Sequence, residues 1–368
     1  MNSEPIFHEP AQGGADTAAV PTKPPDRLLY VDLLRPIAML GVIAIHVSAG
    51  PLMDAKTPNP VWWASVFYNS LARIGVPIFV MISGLLVLDP AREEPWDRLL
   101  KKRLLKKIIL PLAGWTLIYF WWTDASMGLP FSWSRLFKQS LAGGTSAHLW
   151  FLYMIAGLYL AIPVIRPLLR EGRHVRYYLT IWLVATAFPL LGLVRRYFYW
   201  EAPIFTGYLG YFILGYWLHH CSRRRLDRWR VLLPGFALGA AVTIGGTWWI
   251  RRYPFAAGKS LDLLNYLRPN VVLMSVALFL FFRDLNLGKM ARFAPWLHKI
   301  SVATYGIYLA HVIVLDMVRL AEHGTSLHTF QTPHAWFEIP WTTCWAFAFT
   351  LLLVMPARRI PLIRLFIP

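Results

Sequence analysis

Ten apolar segments, each about long enough to cross a lipid bilayer, constrain the fold of this chain more than any other feature of its sequence. A helix of roughly 20 apolar residues spans the hydrocarbon core, because it satisfies its backbone hydrogen bonds internally. The sequence therefore predicts an all-α integral membrane protein with about ten transmembrane helices. The segments lie at about residues 30–49, 62–88, 104–122, 148–165, 177–194, 204–219, 231–250, 268–282, 302–319 and 339–356.

The overall composition agrees with a membrane protein and argues against a nucleic-acid-binding one. Of the 368 residues, 57% are hydrophobic and only 15% are charged, which is too apolar for a soluble protein of this length. The formal net charge of +18 comes from short basic clusters between the apolar segments. Such clusters set membrane topology. We therefore predict the lipid bilayer as a partner, and no nucleic acid.

The distribution of Lys and Arg predicts the orientation of the chain. With a cytoplasmic N-terminus, 25 of these residues lie on the inside and 10 on the outside. This excess of inside charges favours an even number of helices with both termini in the cytoplasm. The expected organisation is a disordered cytoplasmic tail at 1–26, a ten-helix membrane domain at 27–360 and a short cytoplasmic tail at 361–368.

The first apolar segment carries three ionisable residues, which are costly inside a membrane. Arg35 and His46 are eleven positions apart, so on a helix they point to the same side, about 16 Å apart along the axis. Asp32 precedes Arg35 by three positions, where it can pair with the guanidinium. Such a stripe faces the bundle interior or a water-filled path. The alternative is that Arg35 reaches the inner headgroups, with Asp32 as partner, and that His46 lies at the interface.

The residue types in this stripe suggest a reaction. A guanidinium binds phosphate or a carbonyl-bearing anion in a bidentate way. An imidazole can take a proton from a hydroxyl group near neutral pH. With one group at each depth, we predict that a phosphate-rich donor enters from the cytoplasm and that a hydroxyl acceptor binds outside. The predicted catalytic residues are His46, Arg35 and Asp32.

Four segments resemble acyltransferase family 3, the membrane acyltransferases that O-acetylate bacterial surface polysaccharides. The first has Arg35, ten residues and His46, after the lead-in Y-V-D-L-L-R. The others follow in family order: R-I-G-V-P-I-F-V-M-I-S-G at 73–84, H-L-W-F-L-Y-M-I-A-G-L-Y-L at 148–160 and S-V-A-T-Y-G-I-Y-L-A-H at 301–311. The pattern at 148–160 lacks the Glu-Glu-Gln of many members. It resembles the subgroup that acts on enterobacterial common antigen and exopolysaccharides.

The resemblance implies an O-acetyltransferase of the bacterial inner membrane, with acetyl-CoA as acyl donor and a glycan hydroxyl as acceptor. The acceptor stays open among an exopolysaccharide unit, a lipid-linked oligosaccharide and lipopolysaccharide. The enzyme would act alone or with other polysaccharide-assembly proteins. The basic segment after the second helix lacks the strict Arg-x-x-Arg of the family, and its residues expected to bind the CoA phosphates are Arg98, Lys101, Lys102 and Arg103.

A further set of polar and aromatic residues is expected to bind substrate, each with a structural alternative. An arginine in the second helix can pair with a buried acid, a small residue can let helices approach closely, and buried tyrosines can simply pack with their hydroxyls bonded. The set comprises Arg73, Ser83, His148, Trp150, Tyr305, Tyr308 and His311. No spacing of Cys or His suggests a metal site. The rival function is a membrane transporter or flippase, and a scaffold without chemistry is disfavoured by the intramembrane charges.

Overall fold

The structure is a computed structural model that describes residues 28–54, 58–89, 95, 97–141, 144–187, 207–220, 228–253, 262–323 and 334–368. The tail predicted at 1–26 lies outside the described residues. Within them the chain is helical, without a strand. The α-helices are α1 Leu29–Asp54, α2 Pro60–Ala72, α3 Gly75–Val87, α4 Leu110–Ser126, α5 Trp133–Leu141, α6 Trp150–Leu168, α7 Gly172–Ala187, α8 Leu209–His220, α9 Trp229–Arg252, α10 Pro269–Asp284, α11 Ala294–His323, α12 Ala335–Ala357 and α13 Pro361–Arg364.

Shorter or wider helical segments connect several of these helices. A π-helix at Arg98–Ile109 leads directly into α4. Single 3₁₀ segments lie at Ala147–Leu149, Asp262–Leu264 and Gly288–Phe293. The first and third of these extend the membrane-spanning helices that follow them.

Each of the ten predicted apolar segments contains helix in its described residues, which confirms an all-α membrane protein. Seven described spans are long and apolar enough to cross a bilayer: Leu29–Met53, Pro60–Val87, Arg98–Ser126, Ala147–Leu168, Trp229–Arg252, Gly288–Arg319 and Ala335–Ala357. The other three helices, α7, α8 and α10, have 16, 12 and 16 described residues. The count of ten spans and the cytoplasmic side of both termini therefore stay predictions.

The second predicted helix is interrupted in its middle. It consists of α2 and α3, separated by Arg73 and Ile74. Pro77 lacks an N–H group, so the carbonyl of Arg73 has no partner one turn later and the helix breaks there. A break inside a membrane is tolerated where protein covers it, and this span is the most deeply buried of the seven. The break places a guanidinium inside the bundle.

Helices α3 and α8 cross at a very short distance through two glycines. A Cβ added at Gly84 would lie 1.8 Å from the carbonyl oxygen of Phe212, and one at Gly215 would lie 2.0 Å from that of Met81. Small residues allow such approaches between membrane helices. At Gly84 the structure thus confirms the structural alternative given above, in which a small residue lets two helices approach closely.

The last residues of the chain pack onto the bundle. The indole N–H of Trp115 on α4 donates to the carbonyl of Phe366 at 3.0 Å. The Ile367 side chain is buried. Residues 361–368, expected as a short cytoplasmic tail, therefore pack against α4 at Gly114 and Trp115 and against α11 at Gly306. Their cytoplasmic side stays a prediction.

Candidate active site

A cavity of about 490 Å³ opens between α1, α3, α6, α11, the π-helix and residues 358–368, which we call the C-terminal segment. Cavities of several hundred Å³ are typical of small-molecule sites. Its polar and aromatic lining includes four residues selected from the sequence, Arg35, Ser83, Tyr305 and Tyr308. The fold therefore brings together residues that lie more than 270 positions apart in the chain.

Arg35 projects into this cavity and donates a hydrogen bond from Nη1 to the Ser301 hydroxyl at 3.3 Å. Asp32 is buried and acts electrostatically on Arg35, in agreement with their predicted proximity. The Asp32 carboxylate also lies 3.4 Å from Nδ1 of His298. His298 and Ser301 were not predicted as site residues, because their contacts depend on the packing of α11 against α1.

Besides Arg35, four cationic side chains line the same cavity: Arg103, Lys107, Arg358 and Arg364. The first two come from the π-helix, whose i→i+5 bonding places residues four to five apart on one side. The others come from the end of α12 and from α13. Only Arg103 was predicted. Because they come from segments distant in sequence, only the tertiary fold reveals the two arginines.

The other basic residues predicted to bind CoA phosphates are not part of this cavity lining. Arg98, Lys101 and Lys102 are exposed on other sides of the π-helix. Lys101 pairs with Asp97 at 3.5 Å, one helical turn away in sequence. The structure thus separates the predicted basic set and replaces most of it with Lys107, Arg358 and Arg364.

Three of the hydroxyl groups along the cavity, on residues selected from the sequence, are hydrogen-bonded to backbone carbonyls. Ser83 Oγ donates to Phe79 at 2.8 Å, and Tyr305 donates to Lys107 at 2.8 Å. Tyr308 donates to the carbonyl of His148. These bonds fit the packing alternative. All three side chains nevertheless line the cavity, so they also shape the space that a ligand would occupy.

Three histidines lie together at the other end of α1. We call His46, His148 and His311 the imidazole cluster. The ring centroid of His311 is 5.2 Å from those of both His46 and His148, and the latter two are 6.3 Å apart. His148 is 3% exposed and His311 is fully buried, whereas His46 is half-buried. The fold therefore places the rings of His46 and His148 side by side.

The hydrogen bonds of the cluster leave two ring nitrogens unused. Nδ1 of His311 lies 2.7 Å from the Tyr308 carbonyl, and Nδ1 of His148 lies 2.9 Å from the Ser146 hydroxyl. The Nε2 atoms of both rings are buried and have no hydrogen-bond partner among the described residues. A buried polar atom without a partner costs about 1–3 kcal/mol, so two adjacent ones indicate a functional site.

Arg73, at the break between α2 and α3, has an amide as its hydrogen-bonding partner. Its Nε and Nη2 donate to the Asn69 side-chain oxygen at 2.9 and 2.6 Å. The guanidinium carbon lies 5.2 Å from the Tyr266 ring centroid, and its charge acts on His46. These contacts differ from the predicted alternative of a pair with a buried acid. They leave the positive charge of Arg73 available near the imidazole cluster.

An aromatic group lies beside Arg73. We call Trp150, Tyr208 and Tyr266 the aromatic wall. The Trp150 ring centroid is 5.4 Å from that of Tyr208 and 6.1 Å from that of Tyr266. Trp150 was predicted to bind substrate, with a membrane-interface anchor as the alternative. Its two tyrosine neighbours were missed, since single tyrosines in apolar surroundings carry no sequence signal of their own.

A comparison with family models places this arrangement in a known group. The model of an acyltransferase domain, acyltransferase family 3, matches residues 28–359. The chain belongs to acyltransferase family 3. A search of curated proteins gave no match, and a search of solved structures gave none either. The matched region contains the cavity, the imidazole cluster and the aromatic wall, apart from the C-terminal segment after residue 359.

In this acyltransferase family 3 protein the two ends of α1 are linked by side chains. The Phe79, Phe151 and Tyr308 rings line the cavity. The Phe151 ring centroid lies 6.4 Å from that of Phe79 and 5.3 Å from that of Tyr308. Tyr308 also contacts the His148 ring at 5.5 Å. None of the three histidines is among the described residues that line the cavity, and Tyr308 is the lining residue that joins it to the imidazole cluster. Such a membrane acyltransferase can hold a charged donor at one end and a proton-accepting group at the other.

Proposed function

We propose that this protein is an O-acyltransferase of the bacterial inner membrane, which moves an acyl group from cytoplasmic acyl-CoA to a hydroxyl of an extracytoplasmic or lipid-linked glycan. The observation that carries the proposal is a cavity lined by cationic side chains and by Tyr308, whose ring contacts His148 of the imidazole cluster. The family resemblance implies that the acyl group is acetyl and that the acceptor is an exopolysaccharide.

The cationic end of the cavity suits the phosphates of CoA. Guanidinium groups bind phosphate in a bidentate way, and Lys adds a point charge. None of the described lining residues has an acidic side chain. The pantetheine arm would extend inward along Ser83 and the Phe79 and Phe151 rings, and Arg35 would orient it.

The imidazole end suits the acceptor. His46 would act as general base on a sugar hydroxyl, while Arg73 and the aromatic wall hold the sugar. In the reaction the hydroxyl oxygen attacks the thioester carbonyl, an ester O–C bond forms and the C–S bond breaks. The hydroxyl proton passes through His46 to the departing CoA sulfur. Direct transfer requires the carbonyl and the attacking oxygen about 3 Å apart, which places the thioester beside the imidazole cluster.

The test is a transfer assay in proteoliposomes with radiolabelled acetyl-CoA supplied on one face only. The acceptor is an extract of lipid-linked and surface glycans. We expect alkali-labile label on glycan with the wild type and its loss in His46→Ala and Arg35→Ala. His174→Ala and Arg359→Ala, which change exposed side chains outside the cavity, serve as matched controls and retain activity.

The opposite result would overturn the proposal. Folded wild-type protein that neither transfers label nor releases CoA, with any acyl length or glycan, is not this enzyme. In that case, movement of a glycan across the membrane without CoA consumption would identify the rival transporter or flippase.

A further inference from the structure

The imidazole cluster contains a ring nitrogen whose protonation state follows from its neighbours. A backbone carbonyl can only accept a hydrogen bond, so the contact between His311 Nδ1 and the Tyr308 carbonyl places a hydrogen on Nδ1. In the neutral imidazole, Nε2 of His311 is then an unprotonated acceptor. This atom is fully buried and has no donor among the described residues.

Few groups around His311 Nε2 can donate a hydrogen bond to it. The Tyr308 hydroxyl donates to the His148 carbonyl, and the Tyr119 hydroxyl donates to the Leu309 carbonyl at 2.7 Å. Both nearby phenols are therefore engaged. The rings of His46 and His148 remain, each with its centroid 5.2 Å from that of His311.

Of these two rings, His46 is the one free to turn toward His311. Nδ1 of His148 is held by the Ser146 hydroxyl at 2.9 Å, and its ring is 3% exposed. The half-buried His46 ring has no such contact in the described structure. The nearby acid does not compete for it, because Asp316 pairs with Arg319 at 3.3 Å, and Arg319 also donates to the backbone carbonyl of His46.

We propose that His311 is a positioning residue for His46: its Nε2 accepts the ring N–H of His46 and thereby leaves the other His46 nitrogen unprotonated toward the acceptor hydroxyl. The inference rests on the proposed function. It assigns to a neutral imidazole the role that a carboxylate has in catalytic triads, where the partner fixes the tautomer and orientation of the base. Tyr308, which also lines the donor cavity, fixes the tautomer of His311 in turn.

In the proposed step, every proton that is taken up is given back. When His46 takes the hydroxyl proton, its second N–H stays hydrogen-bonded to His311. His46 then delivers the proton to the CoA sulfur as the C–S bond breaks. His311 neither gains nor loses a proton over the cycle, and no further reactant is required.

The test compares two substitutions at this position. In His311→Leu the acceptor is lost and apolar volume is kept. In His311→Gln the side-chain amide oxygen can accept a hydrogen bond from His46, although it cannot take its proton. We expect a fall in kcat of about 100-fold in His311→Leu, with the KM for acetyl-CoA unchanged, and recovery to within about tenfold of wild type in His311→Gln. Thr247→Val is the control, since it removes another buried oxygen without a partner, in α9.

A second measurement does not depend on activity. Nitrogen NMR of ¹⁵N-histidine-labelled protein in nanodiscs reports the tautomer of each ring, with signals assigned from single His→Gln variants. In the wild type we expect His311 protonated at Nδ1 and His46 in one tautomer. In His311→Leu the His46 signal should become a mixture of two.

Each opposite result overturns the inference. A wild-type His46 that already exists as two tautomers lacks a fixing partner. Wild-type kcat in His311→Leu, or equal losses in folded His311→Leu and His311→Gln, would show that hydrogen-bond acceptance at position 311 does not matter. Absence of transfer by the wild type refutes the proposed function instead, and the NMR result still decides whether His311 orients His46.

Discussion

Replacing Arg358 is the sharpest test of the donor site, because this residue has a neighbour that serves as a matched control. Arg358 lines the cavity, whereas Arg359 is exposed outside it. Nε of Arg358 is buried without a hydrogen-bond partner in the described part of the chain. Burial, and to a smaller degree the charge of Arg364, lower the pKa of the Arg358 guanidinium. A phosphate bound between Arg358 and Arg364 would give the buried Nε atom a hydrogen-bond partner and would offset the repulsion between the two positive charges.

The expected change in the Kd for CoA follows from the positions of the Arg358 and Arg364 side chains. A hydrogen bond to a charged group contributes about 1.5–3 kcal/mol, and partial exposure places Arg358 at the low end. We therefore expect Arg358→Ala to raise the Kd for CoA about tenfold, which corresponds to roughly 1.4 kcal/mol. Arg358→Ala with Arg364→Ala should raise it about 100-fold if the two contributions add. Arg359→Ala should change it less than about twofold.

The assay is equilibrium binding of radiolabelled CoA to purified protein at two salt concentrations. The difference between Arg358→Ala and wild type should shrink at high salt, because the contact is electrostatic. Repeating the measurement with dephospho-CoA shows whether these arginines contact the 3′-phosphate. Equal Kd values for Arg358→Ala and Arg359→Ala, in protein that binds CoA, would refute the assignment of the C-terminal segment to the donor site.

Three further outcomes are expected. Gly84→Ala should lower the Tm in detergent, since its Cβ would lie 1.8 Å from the Phe212 oxygen and overpacking costs about 1–3 kcal/mol or more. Gly157→Ala, with no atom within 4 Å, is the control, and an equal Tm for both would contradict the close crossing. Arg35→Lys should lower kcat/KM for acetyl-CoA at least about tenfold, because it keeps the charge and loses the planar fork, and unchanged kinetics would exclude a bidentate role. Tyr266→Ala should raise the acceptor KM about three- to tenfold with CoA binding unchanged, whereas a change in CoA affinity alone would exclude an acceptor role.

The helices and one face of α1 could be predicted from sequence because their signals are local. Apolar length fixes where a membrane helix forms. The eleven-residue spacing of Arg35 and His46 reports a common side without any knowledge of neighbours. His46, His148 and His311 were each selected from the sequence, whereas their clustering is visible only in the fold. Pro77 also carried a local signal for the break at Arg73, which the continuous apolar pattern concealed.

Other parts of the site depend on contacts between segments far apart in the chain, which a single sequence does not encode in a readable way. Arg358 and Arg364 reach the cavity because the C-terminal segment folds back onto α4, where Trp115 holds Phe366. His298 reaches Asp32 because α11 packs against α1. The basic residues expected to bind phosphate were chosen by density of charge along the chain, and the geometry of the π-helix instead selects Arg103 and Lys107.

The separation of charge along the cavity favours acyl transfer over transport of a whole charged molecule. Bringing phosphate groups through the hydrocarbon region is costly unless cations accompany them. The cationic lining residues other than Arg35 come from the π-helix and the C-terminal segment, and the wall toward the imidazole cluster is formed by the Phe79, Phe151 and Tyr308 rings. In the proposed function a CoA phosphate would therefore have partners at the cationic end and would lose them farther in, whereas a thioester on a flexible arm can pass the aromatic rings without carrying charge. With this division, only the uncharged acyl group needs to travel from one substrate to the other.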